Sequence, residues 1–164
     1  MLLLSKTIEL YAFFLGALKL GLVSCILFNS IGEDSIIERV KDTDTKAIIS
    51  TSRMNFRLVK VLQKLDASFR VLLVDESQSD GQFIGIRDQF EQASKVFVTP
   101  ATDPEQYSHF HFTSGSTGKP KAVQHCHAAI IDHLRSFETV MQPDPEDLFW
   151  CTADPGWVTG TTYG

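Results

Sequence analysis

Cysteine is scarce in this sequence, and the few cysteines are not arranged in pairs. Cys25, Cys126 and Cys151 make up the whole set of 3, an odd number with no short paired spacing. A small secreted scaffold held by disulfides needs an even and closely spaced set. That class of protein is excluded, and the pattern predicts reduced thiols in a cytoplasmic protein.

An excess of positive charge is also lacking. Lysine and arginine number 15 against 20 aspartates and glutamates, which gives a formal net charge of −5. Non-specific binding to nucleic acid needs a positively charged surface, so no nucleic-acid partner is expected. The hydrophobic share of 43% and the charged share of 21% are close to globular averages, which argues against global disorder.

No apolar run is long enough to cross a membrane. Lys6, Glu9 and Lys19 interrupt the apolar N-terminal region, whereas a bilayer span needs about 20 largely uncharged residues. A cleavable signal is not clear either, because a basic segment and a small-residue cleavage site are not evident. We therefore predict a buried helix over residues 7–20 and a buried strand over residues 22–28. A small membrane-anchored protein is the alternative interpretation.

The rest of the chain alternates between helical and extended patterns. The predicted helices cover residues 32–41, 55–65 and 125–140, and the predicted strands cover residues 46–50, 69–75, 107–112 and 122–124. In the helix over 55–65, the spacing places Phe56, Val59 and Leu62 on the apolar side. This order predicts an α/β fold with a parallel sheet and helices on both faces, and the ligand loops of such a sheet follow the carboxyl ends of its strands.

Residues 113–121, which we call the 113–121 loop, carry the most informative pattern. They combine hydroxyl side chains, two glycines and two lysines, in the order Thr113, Ser114, Gly115, Ser116, Thr117, Gly118, Lys119, Pro120 and Lys121. Glycine accepts the positive φ angles that let successive backbone N–H groups point at one anion. The spacing excludes the ordinary P-loop, because Gly115 and Gly118 are too close together and Pro120 follows Lys119. The pattern predicts a phosphate-binding loop of another kind, with a flexible surface loop as the alternative.

Two stretches resemble one known family. Residues 112–121, FTSGSTGKPK, are similar to the signature loop of the adenylate-forming enzymes, and residues 147–164, DLFWCTADPGWVTGTTYG, resemble AMP-forming acetyl-CoA synthetases and related short-chain acyl-CoA synthetases. A weaker likeness covers residues 9–21 and 27–28. The resemblance implies that residues 1–164 are part of the large N-terminal domain of such an enzyme, without the rest of that domain or the C-terminal domain.

The resemblance also implies an activity and its substrates. The family joins acetate or another short-chain acid to CoA through an acyl-adenylate made from ATP, with Mg²⁺ sharing the phosphate charge. It implies ATP and pyrophosphate binding by Thr113, Ser114, Gly115, Ser116, Thr117, Gly118, Lys119 and Lys121, and an acyl and CoA pocket lined by Trp157, Val158, Thr159 and Gly160. No catalytic residue is assigned. The chain alone is expected to be an inactive fragment, or else a non-catalytic remnant that binds a nucleotide phosphate or a partner protein.

Three further residue assignments are open to test. The family usually has glycine at the position of Ala122, so a positive φ there would cost about 1 kcal/mol. Asp154 is expected to hydrogen-bond the turn at Pro155 or cap a helix rather than act as a base. For the histidines we expect no metal site, because alternate positions on a strand (His109 and His111) do not converge on one ion with residues at a helix start (His125, Cys126 and His127). Satisfied polar residues at the start of a helix are the expected role of His125 and His127.

Overall fold

The computed structural model describes residues 1–114 and 118–163. The helices and strands are listed here in chain order. They are α1 (Ile8–Lys19), β1 (Ser24–Cys25), α2 (Glu33–Asp42), β2 (Ala47–Ser50), a 3₁₀ turn (Ser52–Met54), α3 (Asn55–Leu62), β3 (Arg70–Leu73), β4 (Phe83–Gly85), α4 (Arg87–Glu91), β5 (Tyr107–Thr113), β6 (Lys121–Cys126), α5 (Ala129–Met141) and α6 (Val158–Tyr163). They belong to two compact units, one of residues 1–13 and 27–98 and the other of residues 14–26 and 99–164.

The first unit is built on a parallel sheet. Its strands lie in the order β2-β3-β4, and all of the pairings are parallel. Parallel strands are covered on both faces and are therefore rich in branched apolar residues. Ile48 and Val71 accordingly have no exposed surface. The N-terminal Leu2 adds a parallel bridge to Ile49, which brings the start of the chain into this unit.

The helices of the first unit test the predicted apolar faces. In α2 the buried residues are Ile36, Ile37 and Val40, as helical spacing predicts. The face predicted for α3 is wrong in part, because Leu58 and Val61 are buried while Phe56 is 66% exposed. The helix is rotated so that its aliphatic stripe faces the core.

Strand β4 was not predicted, and glycine explains part of its geometry. A Cβ atom at Gly85 would lie 2.4 Å from the backbone oxygen and 2.7 Å from the backbone nitrogen of Gln78. Backbone atoms cannot move aside as a flexible side chain can, so only glycine allows this close approach. A strand of three residues is also too short to show an alternating pattern in the sequence.

The second unit contains a mixed sheet in the order β1-β5-β6. Strand β1 pairs in parallel with β5, but β5 and β6 are antiparallel. The strand predicted over residues 22–28 shrinks to Ser24–Cys25. The helix predicted over residues 125–140 begins at Ala129, because residues 125 and 126 pair with β5 instead.

The fold class is confirmed as mixed α/β with parallel sheet segments. The expectation of one parallel sheet is corrected, because the described strands form two sheets and the last pairing is antiparallel. The helix predicted at the N-terminus is present as α1, but it is buried only in part, because Leu10 and Phe14 are buried whereas Ile8 and Leu15 are exposed. Among the described residues, no helix combines the length and the apolar character that a membrane span requires.

Candidate functional site

A β-hairpin positions the 113–121 loop. Strand β5 ends at Thr113, β6 begins at Lys121, and these two residues are partners in the antiparallel register. The next pair inward is Phe112 with Ala122. The two ends of the loop are therefore fixed side by side by the sheet, as the predicted arrangement of strand, loop, strand and helix requires.

The described part of the loop is open to solvent. Thr113, Ser114, Gly118, Lys119 and Lys121 are all exposed. Gly118 has φ +85°, so the positive angle predicted for this glycine is confirmed. Gly115, Ser116 and Thr117 lie outside the described residues. A loop with accessible donors and a left-handed glycine suits an anionic ligand.

The loop lysines carry positive charge that no ion pair neutralises among the residues that the structure describes. Within residues 1–114 and 118–163, neither Lys119 nor Lys121 forms an ion pair. Two ammonium groups near the mouth of one hairpin produce a local positive potential in a chain whose formal net charge is −5. A polyanion would therefore meet electrostatic attraction at this loop.

The alanine at position 122 causes no backbone strain. Ala122 lies inside β6, paired with Phe112. Among the described non-glycine residues, only Asp44 and Gln142 have positive φ. The cost considered for Ala122 does not arise, because an extended backbone accepts any L-residue.

The second motif forms a tight turn followed by α6. The Gly156 N–H donates to Asp154 Oδ1 at 2.8 Å, and the Trp157 N–H donates to the Asp154 backbone oxygen at 2.9 Å. The expectation that Asp154 stabilises this turn is confirmed. Gly160 packs directly over the turn, since a Cβ there would lie 2.1 Å from the Asp154 oxygen.

The side chains of the second motif do not all face one cavity. Trp157 is 55% exposed, Val158 is 45% exposed and Thr159 is also exposed, whereas Gly160 is buried. An open apolar groove of about 290 Å³ lies instead between α5 and α6. Its lining residues are Ile130, His133, Leu134, Phe137, Phe149, Thr162 and Tyr163. None of the predicted pocket residues lines this groove.

Two aromatic residues of the groove, Phe149 and Tyr163, belong to the second motif, and a third, Phe137, lies on α5. Phe149 packs edge-on against Phe137, with ring centroids 5.0 Å apart. The Tyr163 hydroxyl is 2.8 Å from Ser136 Oγ, which ties α6 to α5. The signal that could have revealed these residues is the helical spacing of residues 130, 133, 134 and 137, which lie on one side of α5.

Three histidines come together on the hairpin. His109, His111 and His125, which we call the histidine trio, each offer one ligand atom within 4.8 Å of the others. The expectation that they would not converge is wrong. Residue 125 belongs to β6 rather than to a helix, and His125 is the register partner of His109. His111 lies two residues along β5, on the same face of the sheet.

The environment of the trio favours neutral imidazoles, because burial lowers the pKa of all three histidines. Burial lowers the pKa of His109 to about 3, with smaller contributions from repulsion by His111, His125, His133 and His127 in turn. Burial likewise lowers the pKa of His111 to about 4, with further repulsion from His125 and His133. Since a charged imidazole would lose its hydration there, the neutral form is favoured.

The comparisons with known proteins show the family to which the chain belongs. The chain belongs to the AMP-binding enzyme family, whose sequence profile matches residues 1–164. It is 36% identical over 157 residues to the acetyl-coenzyme A synthetase of Bacillus subtilis, covering 95% of this chain and 27% of that protein. It is 31% identical over 166 residues to the acetyl-coenzyme A synthetase of Mycolicibacterium smegmatis, covering 91% of this chain and 18% of that protein.

Solved structures show the same likeness. A Brucella canis acyl-CoA synthetase superposes with a TM-score of 0.86 at 26% identity, covering 99% of this chain and 29% of that one. A benzoate CoA ligase from Burkholderia xenovorans superposes with a TM-score of 0.82 at 16% identity, which supports the fold alone. The chain thus spans about a quarter of the length of the first-named curated relative, at 27%.

Proposed function

We propose that this chain supplies the pyrophosphate-binding part of an AMP-forming ligase that joins acetate or another short-chain acid to CoA. The observation that carries the proposal is the hairpin loop between β5 and β6, which holds a left-handed Gly118 and the charges of Lys119 and Lys121, for which no ion pair is found in the described part of the chain. The acetyl-coenzyme A synthetases among the relatives support acetate as the acid. ATP and CoA are the other proposed substrates.

The chemistry explains why such a loop is useful. When a carboxylate attacks the α-phosphorus of ATP, the bond to pyrophosphate breaks and negative charge builds up on the leaving group. Fixed donors and ammonium groups around that leaving group lower the barrier because they stabilise charge that develops in the transition state. We assign this role to Thr113, Ser114, Gly115, Ser116, Thr117, Gly118, Lys119 and Lys121.

The second motif is proposed to contribute to the acyl and CoA side of the site. The exposed side chains of Trp157, Val158 and Thr159 are available to a ligand. Gly160 supports them from beneath, because its lack of a side chain lets α6 pack on the turn at Asp154. An indole at this position could limit the length of the acyl chain, as apolar pocket walls generally do.

The loop residues suit phosphate better than a magnesium ion. Residues 113–121 contain no carboxylate, and Mg²⁺ in proteins prefers carboxylate and phosphate oxygens. We propose that Mg²⁺ arrives bound to the phosphates of ATP. The ion would supply neutralisation of phosphate charge, while the loop holds and orients the β and γ phosphates.

The thiol state of all three cysteines supports a proposed cytoplasmic location.

The loop assignment can be tested with a double variant. We expect Lys119→Ala with Lys121→Ala to weaken pyrophosphate binding by tenfold or more in calorimetry, because a hydrogen bond to a charged group contributes about 1.5–3 kcal/mol. Lys41→Ala with Lys95→Ala is the matched control, since it removes the same charge from exposed positions in the first unit. Equal binding by the two double variants would contradict the assignment.

The 164-residue polypeptide by itself is expected not to form an acyl-adenylate. It spans 27% of the B. subtilis relative, so residues elsewhere in such an enzyme must complete the active site on this proposal. The measurement is pyrophosphate release from ATP in the presence of acetate. Clear turnover by the purified polypeptide would show that this part of the family domain is sufficient, and would contradict the prediction.

A further inference from the structure

The histidine trio is a feature that the proposed ligase chemistry does not use. His109 and His111 are 8% and 5% exposed, and His125 is half-buried. Five histidines occur in the chain, and three of them point a ring nitrogen into one small volume. We propose that His109, His111 and His125 form a binding site for a divalent transition-metal ion, with Zn²⁺ as the ion whose ligand preferences the site matches best.

The distances between the ligand atoms of the trio are compatible with a zinc site whose ligands close slightly when the ion binds. Nitrogen ligands of a tetrahedral zinc ion, each at about 2.0–2.1 Å from the metal, lie roughly 3.3 Å from one another. The trio's ligand atoms lie within 4.8 Å of one another. Small rotations about the side-chain torsions close that difference, and three imidazoles with one open coordination position are a known zinc arrangement.

A hydrogen-bond chain fixes the ring of His109 for metal binding. The Ser108 hydroxyl donates to the His125 backbone oxygen at 3.0 Å, so its single proton is used. Ser108 Oγ also lies 2.9 Å from His109 Nδ1. It must therefore accept a hydrogen bond there, which places the His109 proton on Nδ1 and leaves the lone pair of Nε2 free. Histidine ligands of metal ions are usually oriented in this way, by a hydrogen bond from the ring nitrogen that does not bind the metal.

A buried nitrogen without a partner provides independent support. His111 Nδ1 is buried and has no hydrogen-bond partner within the part of the chain that the structure describes. Leaving such an atom unpaired costs about 1–3 kcal/mol. A metal ion would satisfy it. His127 Nε2 and His133 Nε2 are two further buried atoms of this kind, and the ring centroid of His133 lies 6.2 Å from that of His125. His133 lies beside His125 but outside the group whose ligand atoms lie within 4.8 Å of one another.

The alternative is a packed cluster of neutral rings. His109 and His125 are stacked at 4.6 Å with parallel planes, and His111 meets both rings edge-on. Such packing contributes some energy, but it does not satisfy His111 Nδ1. The depressed pKa values of His109 and His111 are compatible with either role, because the neutral ring is both the packed form and the ligating form.

The position of the site gives it a structural consequence. His109 and His111 lie on β5 and His125 lies on β6, so a bound ion would cross-link the two strands that support the 113–121 loop. Because an ion that binds only the folded chain stabilises it by mass action, metal binding should raise the resistance of the hairpin to unfolding. This inference does not depend on the ligase assignment.

The test uses Co²⁺ as a visible probe and Zn²⁺ as competitor on the full 164-residue chain. We expect one equivalent of Co²⁺ to produce the intense visible absorption of a low-coordinate site, and Zn²⁺ to displace it. His111→Gln and His125→Gln should each weaken Co²⁺ binding by more than about tenfold, since loss of a second-shell partner alone costs 10–100-fold. His127→Gln, a histidine outside the trio, should retain the signal.

Circular dichroism of each variant before the titration keeps the comparison interpretable. If His111→Gln lowers the helix and strand signal, the more exposed His125→Gln variant decides the result. A signal absent from the parent chain would overturn the proposal. So would a signal that survives both trio variants, or one that disappears only with His127→Gln or Cys126→Ser.

Discussion

Replacing Gly160 by alanine is expected to destabilise the second unit by about 3 kcal/mol, the upper end of the usual cost of overpacking. The added Cβ would lie 2.1 Å from the backbone oxygen of Asp154, 2.5 Å from its carbonyl carbon and 2.9 Å from the Ala153 oxygen. All of these are backbone atoms, so α6 must move away from the turn. The measurement is the urea unfolding midpoint followed by circular dichroism.

Gly16→Ala is the matched control for this variant. Gly16 also lies within a helix, α1, but no atom lies within 4 Å of the position that its Cβ would take. Alanine at an unhindered helical position is expected to stabilise the chain by about 0.5–1 kcal/mol. The two substitutions should thus move the midpoint in opposite directions. If Gly160→Ala behaved like Gly16→Ala, the close packing of α6 on the Asp154 turn would be contradicted.

The metal-free chain is expected to lose stability as the pH falls from 7 to 5. In the folded state the pKa of His109 is lowered to about 3 and that of His111 to about 4, whereas the ordinary pKa of histidine is 6.5. The unfolded chain therefore binds more protons than the folded chain at pH values between the lowered pKa values, about 3 and about 4, and the ordinary value of 6.5. Stability is fully present above about pH 6.5 and declines as the pH falls towards 4 and then 3.

The groups around His109 explain the direction of this effect. Phe14 from α1 packs edge-on against the His109 ring, and His111, His125, His127 and His133 surround it from β5, the end of β6 and α5. Every titratable neighbour among these is basic. A proton on His109 would therefore meet an apolar ring and only repulsive charges, whereas in the unfolded chain it would be hydrated.

Unfolding midpoints at pH 7 and pH 5, measured with a chelator present, test this expectation. Carboxylates remain largely ionised in this range, so histidines dominate the difference. We expect His111→Gln to reduce the pH dependence, because it removes one group that the folded state keeps neutral, while His127→Gln serves as the comparison variant. A parent chain equally stable at both pH values, or an unchanged dependence in His111→Gln, would contradict the assigned environment.

The sequence predicted those elements whose pattern is local. The apolar stripe of α2 and the hairpin strands that flank the 113–121 loop follow from spacing alone, because side-chain periodicity decides which face can be buried. The face of α3 could not be chosen in the same way. Phe56 and Leu58 are both apolar, and only packing in the folded unit selects Leu58.

The candidate site likewise contains features that local sequence predicts and features that depend on distant parts of the chain. The loop and the turn at Asp154 carry their chemistry in consecutive residues, so their positions could be predicted. The histidine trio depends on the antiparallel register that places His125 opposite His109, and register is a property of two separated segments. Helical spacing of apolar residues predicts a helix from residue 125, and a helix start would not place this residue opposite His109.

The hairpin also indicates where the sequence of this loop is free to change in evolution. Gly118 has φ +85°, a backbone conformation that is strained for residues with a side chain. Substitution of Gly118 is therefore unfavourable even though no atom lies within 4 Å of the position that a Cβ would take. Ala122 lies in extended backbone within β6, where exchange between glycine and alanine meets no such barrier. The two small residues at the end of one loop therefore differ in mutational tolerance: handedness constrains Gly118, whereas Ala122 can drift without altering the shape of the loop.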